Sequence, residues 1–225
     1  MHIRGKAVII YVMGKSASGK DSIGRLLLAD GELSLKPVVL YTTRPMRDGE
    51  EEGREYHFCT IHDLETFRKD GTVIEERVYH TVQGDWYYFT RADEAMCRDI
   101  KAGHPDYLAI GTLEGYSAYR EYFGADSVLP VYITVKDDLR LLRAAERERR
   151  QSVPDYKELC RRYLADEEDY SAEKLRAVGI DRFFSNDGEI EECFSEVARF
   201  IREIKCVKKG TVPLCQKDPA PSDAR

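Results

Sequence analysis

A loop with two glycines, separated by four residues and followed by a lysine, lies near the start of the chain. Backbone N–H groups in such a loop converge on phosphate oxygens, because glycine permits positive φ angles and close approach. The lysine reaches the β and γ phosphates. The loop predicts a nucleotide-phosphate site made of Gly14, Lys15, Ser16, Ala17, Ser18, Gly19 and Lys20. Asp21 stands where the pattern usually has a hydroxyl, and Ser22 follows it.

The sequence on either side of this loop strengthens the interpretation. Residues 7–13 form a nearly unbroken apolar run, which is typical of a central parallel strand covered on both faces. Ile23, Leu26 and Leu27 give the following segment the one-sided apolar stripe of a helix. A strand, a glycine-bearing loop and a helix therefore follow one another, and the helix directs its positive dipole end at the bound anion.

A second polar segment, residues 42–58, reads TTRPMRDGEEEGREYHF. Arg44 and Arg47 flank Pro45, and turn glycines and Tyr56 follow. These residues favour a rigid loop that holds an anion through charge-assisted hydrogen bonds. For an isolated RPMR sequence, a solvated charged loop would be the better interpretation.

A third cationic segment is the predicted helix over residues 137–150. Arg140, Arg143, Arg147 and Arg150 recur on one face at steps of three and four. Such a charge run is usually a solvated face. Arginines that close over a phosphate chain become a reasonable alternative because a phosphate loop exists elsewhere in the chain.

The elements around these segments alternate between strands and helices. This order indicates an α/β fold with a parallel core sheet that binds its ligand at the carboxyl ends of the strands. Two excursions interrupt it, an acceptor-binding lobe over about 41–90 and a lid over about 140–162. The core then comprises residues 1–40 and 107–204, and the composition of residues 205–225 predicts a disordered tail.

Composition restricts the function classes. The 225 residues carry a formal net charge of −6, which argues against a general nucleic-acid binder, and no stretch resembles a signal peptide or a membrane span. Six scattered cysteines without zinc-site spacing are most simply reduced thiols of a cytoplasmic protein. A disulfide between Cys206 and Cys215 stays open as an alternative.

Six segments follow one another along the chain: GKSASGKDS, YTTRPMRDGEEEGREYHF, VIEE, GDWYYFT, the arginine-rich lid and SNDG. In this order they resemble the guanylate kinase family over about residues 5–204. The resemblance implies the three-layer P-loop NTPase fold, with a nucleoside-monophosphate lobe and a helical lid. It also implies transfer of the γ-phosphoryl group of ATP to GMP or dGMP with Mg²⁺.

Site roles follow from the same resemblance. It implies that the acceptor nucleotide is bound by Arg44, Arg47, Glu50, Tyr56, Glu75 and Tyr87. Among these, Glu75 would recognise the guanine base. The resemblance assigns catalysis to Lys20, Arg143, Arg147 and Arg149, and places Asn186 and Asp187 near the adenine of ATP. One carboxylate can accept both the N1–H and the N2–H of guanine, which adenine lacks.

Several positions depart from the family pattern. Leu40 stands where the family usually has serine, Tyr88 and Phe89 replace a Gly-Ser pair, and the strand YLAIGT lacks the acidic residues that normally end it. We hypothesise that Asp21, assisted by Ser22, takes over the role of the missing carboxylate in binding Mg²⁺. A helix-capping role is the simpler alternative for Asp21.

Two other functions fit parts of the sequence. Ribose 1,5-bisphosphate phosphokinase is similar in its GKDS loop, its YxTRP opening, its missing acidic strand end and its NDG, but lacks the DGEEEGREYHF continuation. Non-catalytic guanylate-kinase-like modules of scaffold proteins typically lose phosphate-loop residues, whereas Lys20 is present here. We expect ATP and GMP as partners, without nucleic acid or membrane. The choice between monomer and homodimer stays open.

Overall fold

A computed structural model describes residues 8–81 and 84–209 of the chain. Its strands are β1 (Ile9–Met13), β2 (Lys36–Pro37), β3 (Tyr41–Thr42), β4 (His57–Phe58), β5 (Val73–Thr81), β6 (Gly84–Arg91), β7 (Tyr107–Gly111), β8 (Val128–Thr134) and β9 (Phe183–Ser185). Its helices are α1 (Lys20–Ala29), α2 (Ile61–Lys69), α3 (Glu94–Ala102), α4 (Leu113–Phe123), α5 (Asp137–Arg149), α6 (Tyr156–Asp169), α7 (Ala172–Ala177) and α8 (Ile190–Lys209).

The core is a parallel five-stranded sheet in the order β2-β7-β1-β8-β9. Strand β1 is central and fully buried, as its apolar run predicts. Successive side chains of a strand point to opposite faces. Ile10 and Val12 pack on one face with apolar residues of α1 and α8, and Ile9 and Met13 pack on the other with α3 and α4. The predicted three-layer α/β fold with a parallel core sheet is confirmed.

A second, four-stranded sheet forms a separate lobe in the order β4-β3-β6-β5. Strands β5 and β6 pair as an antiparallel hairpin, and β3 pairs antiparallel with β6. Helix α2 begins at a capping box in which Thr60 and Asp63 satisfy each other's backbone N–H groups. The lobe spans the excursion predicted over residues 41–90.

The chain crosses from the core to the lobe between residues 37 and 41. Sequence reasoning predicts one short strand there, but the structure splits it into β2, which pairs with β7, and β3, which pairs with β6. The Val38 N–H still donates to the Leu108 carbonyl over 2.8 Å, and Leu40 falls in the irregular link between the two sheets. The break places Leu40 where the core and the lobe meet.

Helices α5 and α6 occupy the segment predicted as the lid. Helix α8 continues to Lys209, so residues 205–209 of the predicted tail are helical. The rest of that tail, including Cys215, lies outside the described residues. Cys59, Cys97, Cys160 and Cys193 are free thiols. In the portion of the chain that the structure covers, none of the helices combines the length and the apolar character that crossing a membrane requires.

Candidate active site

The phosphate loop connects the end of β1 to the first residue of α1. Ala17 has a φ of 64° and Gly19 a φ of 89°, so both adopt the left-handed conformation. The Ser18 N–H donates to the Lys15 carbonyl over 3.1 Å, which closes the turn. Because β1 is buried and α1 begins at Lys20, the loop lies at the carboxyl end of the central strand. This is the position at which α/β sheets bind ligands.

Asn186 contacts this loop through its side chain. Its Nδ2 donates to the Ser18 carbonyl over 2.8 Å, and a β-carbon added to Gly19 would lie 2.3 Å from the same nitrogen. Arg143 donates from Nη1 to the Asn186 carbonyl over 3.0 Å. Asp187 instead accepts the N–H of Lys136 over 2.8 Å, a bond that lowers the pKa of the Asp187 carboxyl. Asn186 therefore contacts the loop directly, whereas Asp187 fixes the start of α5.

Two acidic residues of α6 also contact the loop. Asp166 accepts the Ser16 N–H over 2.7 Å, and Glu167 accepts from Lys15 Nζ over 2.6 Å. Both carboxylates also pair with Arg140, whose side chain is 1% exposed. The sequence predicts no role for either acid, because Ser16 and Asp166 are 150 positions apart and no local pattern reveals their proximity.

The predicted lid arginines divide into two groups. Arg147 lines a small cavity with Ser16, Arg162 and Tyr163, next to the phosphate loop. Arg149 is exposed at the last residue of α5. Arg143 and Arg147 are thus the predicted catalytic arginines that lie nearest the loop, and Arg162 joins them without having been singled out from the sequence.

In the acceptor lobe, Arg44 is 4% exposed and held on several sides. Its Nη1 and Nη2 donate to the two carboxylate oxygens of Glu50 over 2.7 and 2.6 Å, and its Nε donates to the Tyr88 hydroxyl over 3.1 Å. Glu50 also accepts the Arg47 N–H over 2.8 Å. The side-chain bonds from Arg44, followed by this backbone bond, lower the pKa of Glu50 to about 2.

Aromatic rings complete the environment of Arg44. Its guanidinium carbon lies 5.0 Å from the Tyr56 ring centroid, and the Tyr56 and Tyr88 rings meet edge to face at 5.5 Å. Tyr87 points to the other face of β6, where Arg68 lies over its ring at 5.2 Å. Adjacent strand residues alternate faces. Tyr88 therefore lies beside Arg44, whereas Tyr87, which the sequence predicts to bind the acceptor, lies on the opposite face of β6.

Glu75 belongs to a polar chain at the base of the lobe. Its Oε1 accepts from the Thr90 hydroxyl over 3.2 Å and from Arg77 Nη2 over 3.5 Å. The Thr90 hydroxyl in turn accepts from the Tyr119 hydroxyl over 3.2 Å. These bonds orient one oxygen of a carboxylate whose side chain is 11% exposed.

Two adjoining cavities connect the loop to the lobe. The larger, about 840 Å³, is lined by Lys20, Arg77, Thr112, Asp166 and Asp169. The smaller, about 290 Å³, is lined by Glu75, Thr90 and Tyr56. Asp21, Leu40 and Ile110 line both. The phosphate loop therefore shares one cleft with Glu75 and Tyr56, two of the six residues predicted to bind the acceptor.

Asp21 is the acidic residue nearest the loop lysine. Its carboxylate is 72% exposed and lies 3.8 Å from Lys20 Nζ. The Ser22 hydroxyl accepts a hydrogen bond from Arg25 over 3.1 Å. Ser22 also lines a separate surface depression with Leu26 and Ile190. In residues 8–81 and 84–209, His, Cys, Asp and Glu side chains form no cluster of three that could hold a metal.

Comparisons with known proteins agree with this geometry. Residues 5–81 match the family model described as guanylate kinase. Guanylate kinase from Cupriavidus pinatubonensis is 29% identical over 183 residues, 79% of this chain and 77% of that protein. Guanylate kinase from Chelativorans sp. is 37% identical over 149 residues, 64% of each protein, and that from Brucella melitensis is 34% identical over 82 residues, 36% of each.

A solved structure shares the fold. The crystal structure of guanylate kinase from Anaplasma phagocytophilum superposes with a TM-score of 0.58 at 18% identity, over 90% of this chain and 88% of that one. The parallel sheet, the phosphate loop at its carboxyl edge and the facing lobe define the P-loop NTPase class. Within that class, the chain is similar to guanylate kinases, whose family model matches residues 5–81.

Proposed function

We propose that the protein is an ATP-dependent phosphotransferase that transfers the γ-phosphoryl group of ATP to GMP or dGMP. The observation that carries this proposal is the shared cleft, which contains Lys20 at one end and Glu75 at the other. Relatives named guanylate kinase support the same activity. Phosphoryl transfer depends mainly on positioning and electrostatic stabilisation, and a cleft with a donor loop and an acceptor lobe provides both.

Each end of the cleft has its own task. The loop N–H groups and Lys20 bind the ATP phosphates, and Arg143 and Arg147 stabilise charge on the transferred group. Arg44, preoriented by Glu50 and Tyr56, binds the acceptor phosphate. Glu75 accepts the N1–H and N2–H of guanine.

Mg²⁺ fits the residues present at the loop. Mg²⁺ favours hard oxygen ligands and is usually held by one or two carboxylates together with substrate phosphates and water. Asp21 offers such a carboxylate at the wall of both cavities, while the Ser22 hydroxyl contacts Arg25 instead. We therefore assign the metal to Asp21, where the ion would neutralise phosphate charge.

This assignment predicts the behaviour of Asp21→Ala. We expect that variant to fold normally and to lose Mg²⁺-dependent turnover by about 100-fold, while Asp21→Ser, which restores the usual hydroxyl, retains part of the activity. Full activity of Asp21→Ala would leave Asp21 with only the role of an acidic residue in the first turn of a helix. Circular dichroism of both variants checks the fold.

A coupled assay of ADP release tests the proposed function. It offers GMP, dGMP, AMP and ribose 1,5-bisphosphate separately with ATP and Mg²⁺. We expect turnover with GMP and dGMP, and less than about 1% of that rate with AMP, because AMP leaves Glu75 without its donor pair. No turnover with GMP would contradict the proposal.

One observation favours ribose 1,5-bisphosphate as a second candidate. Arg77 lines the same cavity as Lys20 and lies beside Glu75, so the cleft contains an additional cation that suits an acceptor with two phosphates. Turnover with the sugar bisphosphate and not with GMP would select this alternative.

We also propose that the protein works in the cytoplasm, which the free thiols of Cys59, Cys97, Cys160 and Cys193 support. GMP and ATP are the expected partners. Size-exclusion chromatography with light scattering distinguishes the monomer from the homodimer.

A further inference from the structure

Tyr11 is an unusual residue for the centre of a buried parallel strand. Its side chain leaves β1 on the face covered by α4, where its ring packs at 4.9 Å from that of Tyr119 and at 5.8 Å from that of Tyr116. The residue is 1% exposed. A strand of this kind is usually aliphatic, so the hydroxyl of Tyr11 needs an explanation of its own.

That hydroxyl occupies space at the end of the neighbouring strand. A β-carbon added to Gly111, the last residue of β7, would lie 2.0 Å from the Tyr11 hydroxyl oxygen, and one added to Gly115 would lie 2.3 Å away. Neither position can carry a side chain while Tyr11 is present. The polar atom at this strand end therefore comes from Tyr11 on β1 and not from β7.

The hydroxyl has no hydrogen-bond partner within the described part of the chain. Tyr11 nevertheless lines the 290 Å³ cavity, together with Glu75, Thr90 and Leu40. Burial raises the pKa of the Tyr11 phenol far above its ordinary value, so the group remains a neutral O–H donor. Because Tyr11 lines this cavity, a ligand bound there can accept a hydrogen bond from the hydroxyl.

Packing alone does not account for the hydroxyl. Phenylalanine would make the same ring contacts with Tyr116 and Tyr119 but would bring no donor to the cavity. Tyr11 and Glu75 line that cavity together, and Leu40 adds an apolar part of its lining. Glu75 supplies acceptors, and Tyr11 supplies a donor.

We propose that Tyr11 is a specificity-determining residue that donates a hydrogen bond to the O6 carbonyl of the guanine base. The inference rests on the proposed function. Guanine presents O6 as an acceptor beside its N1–H and N2–H donors, and a cavity wall with one hydroxyl donor and one carboxylate matches that edge. Leu40 offers no polar atom of its own to this edge.

The test compares wild type with Tyr11→Phe, which removes only the hydroxyl. Acceptors are GMP and 6-thioguanosine 5′-monophosphate, which keeps both N–H donors but offers sulfur, a weak acceptor. For Tyr11→Phe we expect the KM for GMP to rise about tenfold, the KM for the thio analogue to change less than about twofold, and the KM for ATP to stay constant. Tyr116→Phe, in the same aromatic cluster, is the control and keeps wild-type values.

Two results would overturn the inference. One is a KM for GMP in Tyr11→Phe that stays within about twofold of the wild-type value. The other is an equal rise in KM for GMP and for the thio analogue, which indicates a packing role of the hydroxyl. Melting temperatures of all three proteins identify any loss of folding. Failure of wild type itself to phosphorylate GMP would instead overturn the proposed function and, with it, the O6 contact, so the two failures are distinguishable.

Discussion

Asp166 accepts a hydrogen bond from the backbone N–H of Ser16 over 2.7 Å, so a carboxylate occupies a donor of the phosphate loop. Phosphate oxygens need the same kind of donor. Glu167 adds a second negative charge through its 2.6 Å contact with Lys15. Asp166 and Glu167 therefore occupy two groups of the phosphate loop, and the phosphates of a nucleotide must compete with these carboxylates for them.

The competition predicts the effect of Asp166→Asn. The amide oxygen can still accept from Ser16, but the negative charge next to the triphosphate is gone, and we expect the Kd for ATP to fall by about fivefold. Isothermal titration with ATP measures it. Asp169→Asn is the matched control, because Asp169 lines the same cavity and pairs with Lys174 instead. Weaker ATP binding by Asp166→Asn would show that the carboxylate aids binding.

Gly19 provides a test of the loop conformation itself. Its φ of 89° disfavours any side chain, and a β-carbon would lie 2.3 Å from Asn186 Nδ2. We expect Gly19→Ala to raise the Kd for ATP by at least about tenfold, because the loop must shift away from Asn186. Gly31→Ala is the control, since a β-carbon there meets nothing within 4 Å. Equal ATP binding by both variants would contradict the prediction.

Arg140 illustrates a structural role that the sequence pattern conceals. Its helical spacing with Arg143 and Arg147 suggested either a solvated face or a phosphate clamp, but its side chain is 1% exposed and is surrounded by Asp137, Asp166 and Glu167. Removing it deprives Asp166 and Glu167 of the buried cation that both contact. We expect Arg140→Ala to lower the free energy of unfolding by about 3 kcal/mol, measured by urea denaturation.

The control for Arg140 is another arginine of the lid. Arg161 pairs with Glu158 on the surface, with its side chain 65% exposed. Such a pair contributes little to stability, so Arg161→Ala should unfold at nearly the wild-type urea concentration. An equally small effect of Arg140→Ala would mean that the buried cluster adds nothing to the stability of the fold.

The sequence predicts features that depend on neighbouring residues better than those that depend on distant ones. The α/β fold with its parallel core sheet follows from local patterns between Ala7 and Ile204, and it is confirmed. The phosphate loop also follows from a local pattern, and its binding role stays a prediction. The contacts of Asp166 and of Tyr11 join residues about 100 or more positions apart, and no local pattern encodes them. Which of Tyr87 and Tyr88 faces Arg44 depends on strand register, since a shift of one residue exchanges the two faces.

The bond between Arg44 and Glu50 predicts a pH dependence of stability. Hydrogen bonds from Arg44 and then from the Arg47 N–H lower the pKa of Glu50 from 4.5 to about 2. A carboxyl whose pKa is lower in the folded state stabilises that state fully above its unfolded pKa, and loses this contribution as pH falls through its folded pKa. The contribution should therefore persist from pH 7 to about 4.5 and disappear towards pH 2.

Thermal denaturation of wild type and Glu50→Gln measures this dependence. We expect wild type to melt at the higher temperature. The difference in melting temperature between the two proteins should be constant from neutral pH to about pH 5 and should decrease towards pH 2. Glu65→Gln, on the exposed surface of α2, should show almost no gap at any pH. A gap between wild type and Glu50→Gln that stayed constant down to pH 2 would mean that Arg44 does not hold Glu50 ionised in the folded protein.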